Sequence, residues 1–133
     1  MKDEKRKISG ILIDVKNGVA KPYEMIDDLD EIYKVIDCQL IDIVYRGIGG
    51  KPFTIICDDE GLLKDSPIVS AVDKEDKPML VGNLFICSPE NDNGDLVSLA
   101  KEEAEHILKH IAVASEIQDG GVRLYPVLID VEY

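Results

Sequence analysis

The segment Met79–Cys87, MLVGNLFIC, constrains the fold of this chain more than any other. Only Gly82 and Asn83 interrupt its apolar run, and Pro78 and Ser88-Pro89 bound it, so it reads as one largely buried central strand. A glycine inside a strand marks a bulge or a close approach of another backbone. The next residues, Glu90–Asp95, concentrate Asn, Asp and Gly and form a loop. Beyond them Ser98 stands where a helix N-cap is needed, Glu102 and Glu103 suit the positive end of a helix dipole, and Lys109 and His110 suit the negative end. Ala100, Ala104, Ile107, Leu108, Ile111 and Ala114 recur at three- and four-residue spacing, which predicts a long helix to Ala114 with one apolar stripe on a sheet.

A chain of 133 residues falls in the range of one domain with one core, and the reading is a single domain over residues 1–133 with 1–7 as a flexible charged tail. Hydrophobic residues at 45% set it apart from disordered chains, and no apolar run approaches the roughly 20 residues a bilayer crossing needs. The opening MKDEKRK is not followed by a signal-peptide pattern, so a soluble cytoplasmic protein is expected. Cys38, Cys57 and Cys87 are widely spaced beside apolar segments, as buried free thiols in a reducing compartment would be. A net charge of -12 opposes attraction to nucleic acid or anionic membrane, so direct nucleic-acid binding and membrane association are not expected. The acid excess serves solubility, or forms a surface that mimics nucleic acid or meets a basic partner.

In chain order, Ile8–Val15 reads as a strand, Asn17-Gly18 as a hairpin signal, and Val19–Met25 as the returning strand, with Pro22 placing it at an edge or bulge. Asp27 or Asp28 caps a short helix to Ile36, with Leu29, Ile32, Tyr33 and Ile36 on one face. Leu40–Tyr45 and Phe53–Cys57 read as strands joined through Gly47, Gly49 and Gly50. After the turn Asp58–Gly61, Leu62 and Leu63 resume an apolar pattern that Asp65-Ser66-Pro67 interrupts. Ile68–Val72 reads as a short strand; Asp119-Gly120-Gly121 breaks the chain before a last strand, Val122–Val131, whose Pro126 marks an edge.

No motif fixes a reaction, and no catalytic residue is assigned. The glycine loop offers Arg46, Gly49 and Lys51 as contacts for a phosphate, but Pro52 follows Lys51 where a P-loop needs Ser or Thr, and Tyr45 stands where its first glycine belongs. His106 and His110 lie four apart with Glu102 and Glu103 one turn earlier, yet the H-E-x-x-H signature is absent, and surface histidines on a helix flank are the favoured reading. Asp92-Asn93-Gly94-Asp95 is no EF-hand, because aligning its glycine puts Pro89 at the first ligand position and Ala100 at the twelfth. Asp14 and Asp42, the carboxylates within strands, are expected to point outward. No metal and no cofactor is assigned.

Three pieces, IICDDEGLLKDSP (Ile55–Pro67), VGNLFIC (Val81–Cys87) and NGDLVSLAKEE (Asn93–Glu103), carry a likeness over about Cys38–His110. In them the chain resembles the small acidic proteins grouped as domain of unknown function 3846, found in phages and mobile elements. It departs from the family pattern at Asp58-Asp59-Glu60, where an Asn-Glu-like pair usually precedes the turn glycine. The resemblance implies a cytoplasmic accessory protein of a phage or mobile element and carries no catalytic residues.

Together these readings predict an α+β domain: a mainly antiparallel sheet of five to seven strands, with one long and one short helix packed on one face. The expected function is non-catalytic binding of a protein partner through an acidic surface, or homo-oligomerisation through exposed sheet edges. The alternative is a small-molecule or nucleotide-phosphate binding protein or enzyme, which requires Arg46 and Lys51 to converge on a concave pocket.

Overall fold

The computed structural model describes residues 6–61 and 67–133, Gln118 through its backbone only. Its elements are β1 (Lys7–Asp14), β2 (Val19–Ile26), α1 (Leu29–Ile36), β3 (Ile41–Ile48), β4 (Lys51–Asp58), β5 (Val69–Val72), β6 (Pro78–Val81), β7 (Leu84–Cys87), α2 (Lys101–Leu108), β8 (Ile111–Gln118), β9 (Gly121–Leu128) and β10 (Val131–Glu132). They form two sheets, a six-stranded one in the order β10-β3-β4-β7-β1-β2 and a four-stranded one in the order β6-β5-β9-β8. All pairings are antiparallel except the contact of β5 with β9.

The middle of the six-stranded sheet is buried on both faces, which is why β4 and β7 read as continuous apolar runs rather than alternating ones. One face carries Ile11, Ile13, Phe53, Ile55, Leu84 and Ile86, packed on Ala71 and Leu128 of the four-stranded sheet and Ile107 of α2. The other carries Ile8, Met25, Ile56 and Phe85, packed on Ile32 and Ile36 of α1 and on Leu96. Gly10 makes the second face possible: a Cβ there would stand 2.5 Å from the Phe85 ring and 2.4 Å from the Ile86 carbonyl.

This corrects the expected α+β layout. Two sheets replace one, and the helices, each of eight residues, lie on opposite faces of the larger sheet. Two local events account for the difference. Met79–Cys87 is not one strand, because Gly82 takes φ +78 and the chain leaves β6 in the small sheet to enter β7 in the large one. Asn83 fixes the crossing: its Oδ1 accepts the Val15 N–H at 3.0 Å, and its Nδ2 donates to the Val35 carbonyl of α1 at 3.1 Å. The predicted helix to Ala114 stops at Leu108, and Ile111–Gln118 is a strand. There the Asp119-Gly120 turn lets Ile111–Gln118 pair residue for residue with Gly121–Leu128, and that ladder outweighs the helical spacing of Ile111 and Ala114.

The helix also begins later than predicted. Ala100 is its N-cap, and its N–H donates to Glu103 Oε1 at 2.8 Å. The Ser98 hydroxyl instead accepts the Ser9 N–H of β1. The N-terminal hairpin forms as read, with Gly18 at φ +73 and Asp14 accepting from both the backbone and the amide of Asn17. Lys7 belongs to β1 and Arg6 donates to the Leu96 carbonyl, so these two residues are part of the fold; the rest of the expected 1–7 tail, residues 1–5, lies outside the described residues. The readings of Leu62, Leu63, Asp65 and Ser66 also fall outside the described residues.

Candidate functional site

Antiparallel pairing of β3 with β4 places Ile48 opposite Lys51 and leaves Gly49-Gly50 as the turn. Arg46 and Lys51 both line one open cavity of about 350 Å³, with Tyr45, Gly47, Thr54 and Glu132 among its other walls. Arg46 is held by two contacts and keeps one polar atom unmet. Its guanidinium lies over the Tyr133 ring at 4.6 Å, its Nη1 donates to the Tyr45 carbonyl, and its buried Nε meets no partner among the described residues. Lys51 is exposed. Acids share the neighbourhood: Glu132 lines the cavity, and Glu90 accepts a 2.5 Å hydrogen bond from the Tyr45 hydroxyl, which holds that phenol above its ordinary pKa.

Gly49 does not line this cavity. It turns the chain at φ +55 beneath the histidines of α2, where a Cβ would stand 2.4 Å from His110 Nε2 and 3.0 Å from His106 Nε2. The two histidines are half-buried rather than flanking residues on an open surface. The His106 ring stacks on Phe53 and its Nε2 donates to the Ile48 carbonyl at 2.7 Å, while His110 Nδ1 donates to the His106 carbonyl. Both acceptors are carbonyl oxygens, so the protonated nitrogens are fixed. Among the described residues no group of three His, Cys, Asp or Glu side chains is placed to hold a metal ion.

A second cavity, of about 490 Å³, is lined by Asp42, Arg46, Cys57, Asp58, Asp59 and Leu80 among others. Its thiol is a poor nucleophile: burial, then the charge of Asp42, pushes Cys57 up to about 12. Burial likewise lifts Cys87 to about 12, against a lowering hydrogen bond from Val97. Among the described residues none of Cys38, Cys57 and Cys87 forms a disulfide. Asp42 is exposed and Asp14 half-buried in its turn, so neither is a buried acid.

The feature that sequence reasoning missed is the β8–β9 hairpin. In its register Val113 faces Pro126, Ser115 faces Leu124 and Ile117 faces Val122, so these side chains share one face. Val113 is 72% exposed, Ile117 89%, Val122 66% and Leu124 60%, the largest cluster of exposed aliphatic residues on any described element. The signal was present as Asp119-Gly120 flanked by alternating apolar residues, but assigning Ile111–Ala114 to a helix concealed it. On the other face Arg123 pairs with Glu116 at 3.3 Å and donates to the Val15 and Lys16 carbonyls, which clamps the hairpin onto the β1–β2 turn.

Among the described residues no helix is long and apolar enough to cross a membrane. No curated protein and no solved structure matches the chain. A family model described as a domain of unknown function matches residues 8–112, from β1 to the start of β8, and the chain belongs to that family, domain of unknown function 3846.

Proposed function

We propose that this chain is a non-catalytic binding protein that engages a protein partner through the apolar outer face and free edge of the β8–β9 hairpin. As its resemblance implies, it acts as a cytoplasmic accessory protein of a phage or mobile element. One observation carries the binding reading: four large aliphatic side chains, Val113, Ile117, Val122 and Leu124, stand in water on a hairpin that Arg123 ties to the Val15 carbonyl. A contiguous apolar face costs solubility and is kept where a partner covers it. The acid excess then acts around this face, repelling nucleic acid and other polyanions and favouring partners that bring their own apolar surface.

The test is native mass spectrometry of protein taken from its own cells, comparing wild type with Val113→Lys/Leu124→Lys. A protein species present in stoichiometric amount with wild type and missing with the double variant is expected. Wild type that carries no protein species, or a species retained by the variant, would overturn the reading.

A second reading has its own support, since Arg46 and Lys51 line one cavity between Tyr45 and Tyr133. Cations beside aromatic walls suit a phosphate-bearing small molecule with a planar ring. Titration with ATP followed by calorimetry tests it: binding that Arg46→Ala and Lys51→Ala each weaken at least tenfold supports it, and no heat at millimolar ATP removes it.

A further inference from the structure

Among the described residues the two sheets have four edge strands, and three of them are closed to pairing by familiar means. β2 carries Lys21, Pro22 and Glu24. β10 is two residues long. β6 has four residues, begins with Pro78 and pairs irregularly with β5. The fourth, β8, is eight residues long and has no proline and no lysine, and its one charge, Glu116, is paired with Arg123 inside the hairpin.

The direction of its free backbone groups is fixed. His110 accepts the Ile129 N–H, which continues the β8–β9 ladder, so the even-numbered residues of β8 spend their hydrogen bonds on β9. Ile111, Val113, Ser115 and Ile117 therefore aim N–H and C=O away from the sheet, and their side chains share the apolar face. A two-residue turn at Asp119-Gly120 agrees with this phase.

We infer that the partner on this face is a second copy of the chain, joined by antiparallel pairing of β8 with β8 about a two-fold axis at Ser115. The inference rests on the reading of the hairpin as a protein-binding surface. In this register Val113 of one copy lies opposite Ile117 of the other, both ways round, and Ser115 lies opposite Ser115. Each of these pairs joins outward-facing backbone groups, so each exchanges both of its hydrogen bonds. Glu116 meets Ala114 rather than another Glu116. Shifting the axis to Glu116 would set two carboxylates face to face, which disfavours that alternative.

Charge selects the same face for a second copy. The chain carries -12 overall and 32% of its residues are charged, so most surfaces of two copies repel. From Ile111 to Leu128 the only charges are Glu116, Asp119 and Arg123, and two of those neutralise each other. Pairing would fuse two four-stranded sheets into one, and because the outer edge of each is the blunted β6, assembly would stop at two copies.

Sedimentation of the intact chain at 5–100 μM on the order of typical dimer affinities tests this, alongside Ile117→Lys and Ser115→Cys. A species of twice 14.8 kDa is expected for wild type, with at least a tenfold weaker dimer for Ile117→Lys. Ser115→Cys should give, on mild oxidation, a disulfide mapped by peptide mass to residue 115 of both copies, because facing residues of such a pair have Cα atoms about 5.5 Å apart. Ile117 is nearly fully exposed, so its variant should keep the wild-type circular dichroism and melting temperature. Wild type that remains monomeric throughout would overturn self-pairing while leaving the native mass spectrometry of heterologous complexes to judge the binding reading. A dimer unaffected by Ile117→Lys and without the 115–115 link would likewise overturn self-pairing of β8.

Discussion

Replacing Asn83 by alanine should destabilise the protein far more than its size suggests. The side chain is 7% exposed and fills two obligations at once, accepting from the Val15 N–H at 3.0 Å and donating to the Val35 carbonyl at 3.1 Å. Val15 follows β1 and is itself buried, so its N–H would be orphaned away from water. The Val35 carbonyl lies in the last turn of α1, where no later N–H of the helix reaches it. A buried polar group left unmet costs about 1–3 kcal/mol, and the Val35 site is only part-buried, so the pair together should cost about 2–4 kcal/mol. That is a large share of a domain's total stability of about 5–15 kcal/mol and lowers the melting temperature by roughly 10 °C. Urea unfolding should show the midpoint fall with the slope unchanged. A loss below about 1 kcal/mol would refute the argument that Asn83 fixes the crossing. Asn83→Asp sharpens the test, since a carboxylate still accepts from Val15 but faces the Val35 carbonyl with no proton to donate. Its folded-state pKa lies above the unfolded value, so this variant should gain stability relative to wild type as pH falls into the carboxyl range.

Further outcomes follow from individual contacts. Cys57 and Cys87, raised to about 12, should resist iodoacetamide at pH 8 until urea exposes them, and rapid labelling of either in the native state would contradict their burial. Because both thiols titrate higher folded than the ordinary 9.0, the stability they contribute is intact below pH 9 and lost as pH climbs toward 12, which alkaline melting curves can follow. Gly49→Ala forces a side chain into the left-handed region and against His110, costing about 1–2 kcal/mol for the backbone alone. It should displace the His106 and His110 ring resonances, and unmoved resonances would refute the packing. Phe85→Ala empties the centre of the α1-side cluster and should cost about 3–5 kcal/mol by urea unfolding; a loss under 1 kcal/mol would mean the cluster is not close-packed.

The local signals proved more reliable than their assembly. The β1–β2 hairpin, α1 and the β3–β4 hairpin follow from turn residues and periodicity that act within a dozen residues, and each forms close to the expected bounds. Two places depended on distant partners. Gly82 appeared as a blemish in one strand, whereas the buried donor of Val15 and acceptor of Val35, far off in the chain, make Asn83 a crossing point between sheets. Ile111 and Ala114 fit a helical stripe as well as a strand, and only eight paired residues of β9 decide between them. The candidate site shows the same division: Arg46 and Lys51 were identifiable and line one cavity, but Gly49 serves the histidine packing instead. The apolar hairpin face required the strand assignment first.

Gly82 and Asn83 form a joint with no slack between the two layers, for β6 ends at Val81 and β7 begins at Leu84. Neither layer can settle its own alignment and wait for the other, because sliding β7 by one position would drag β6 out of step. Heat or denaturant should therefore take both layers apart in a single event, and a hydrogen-exchange profile should show β6 and β7 opening together despite their membership of different sheets.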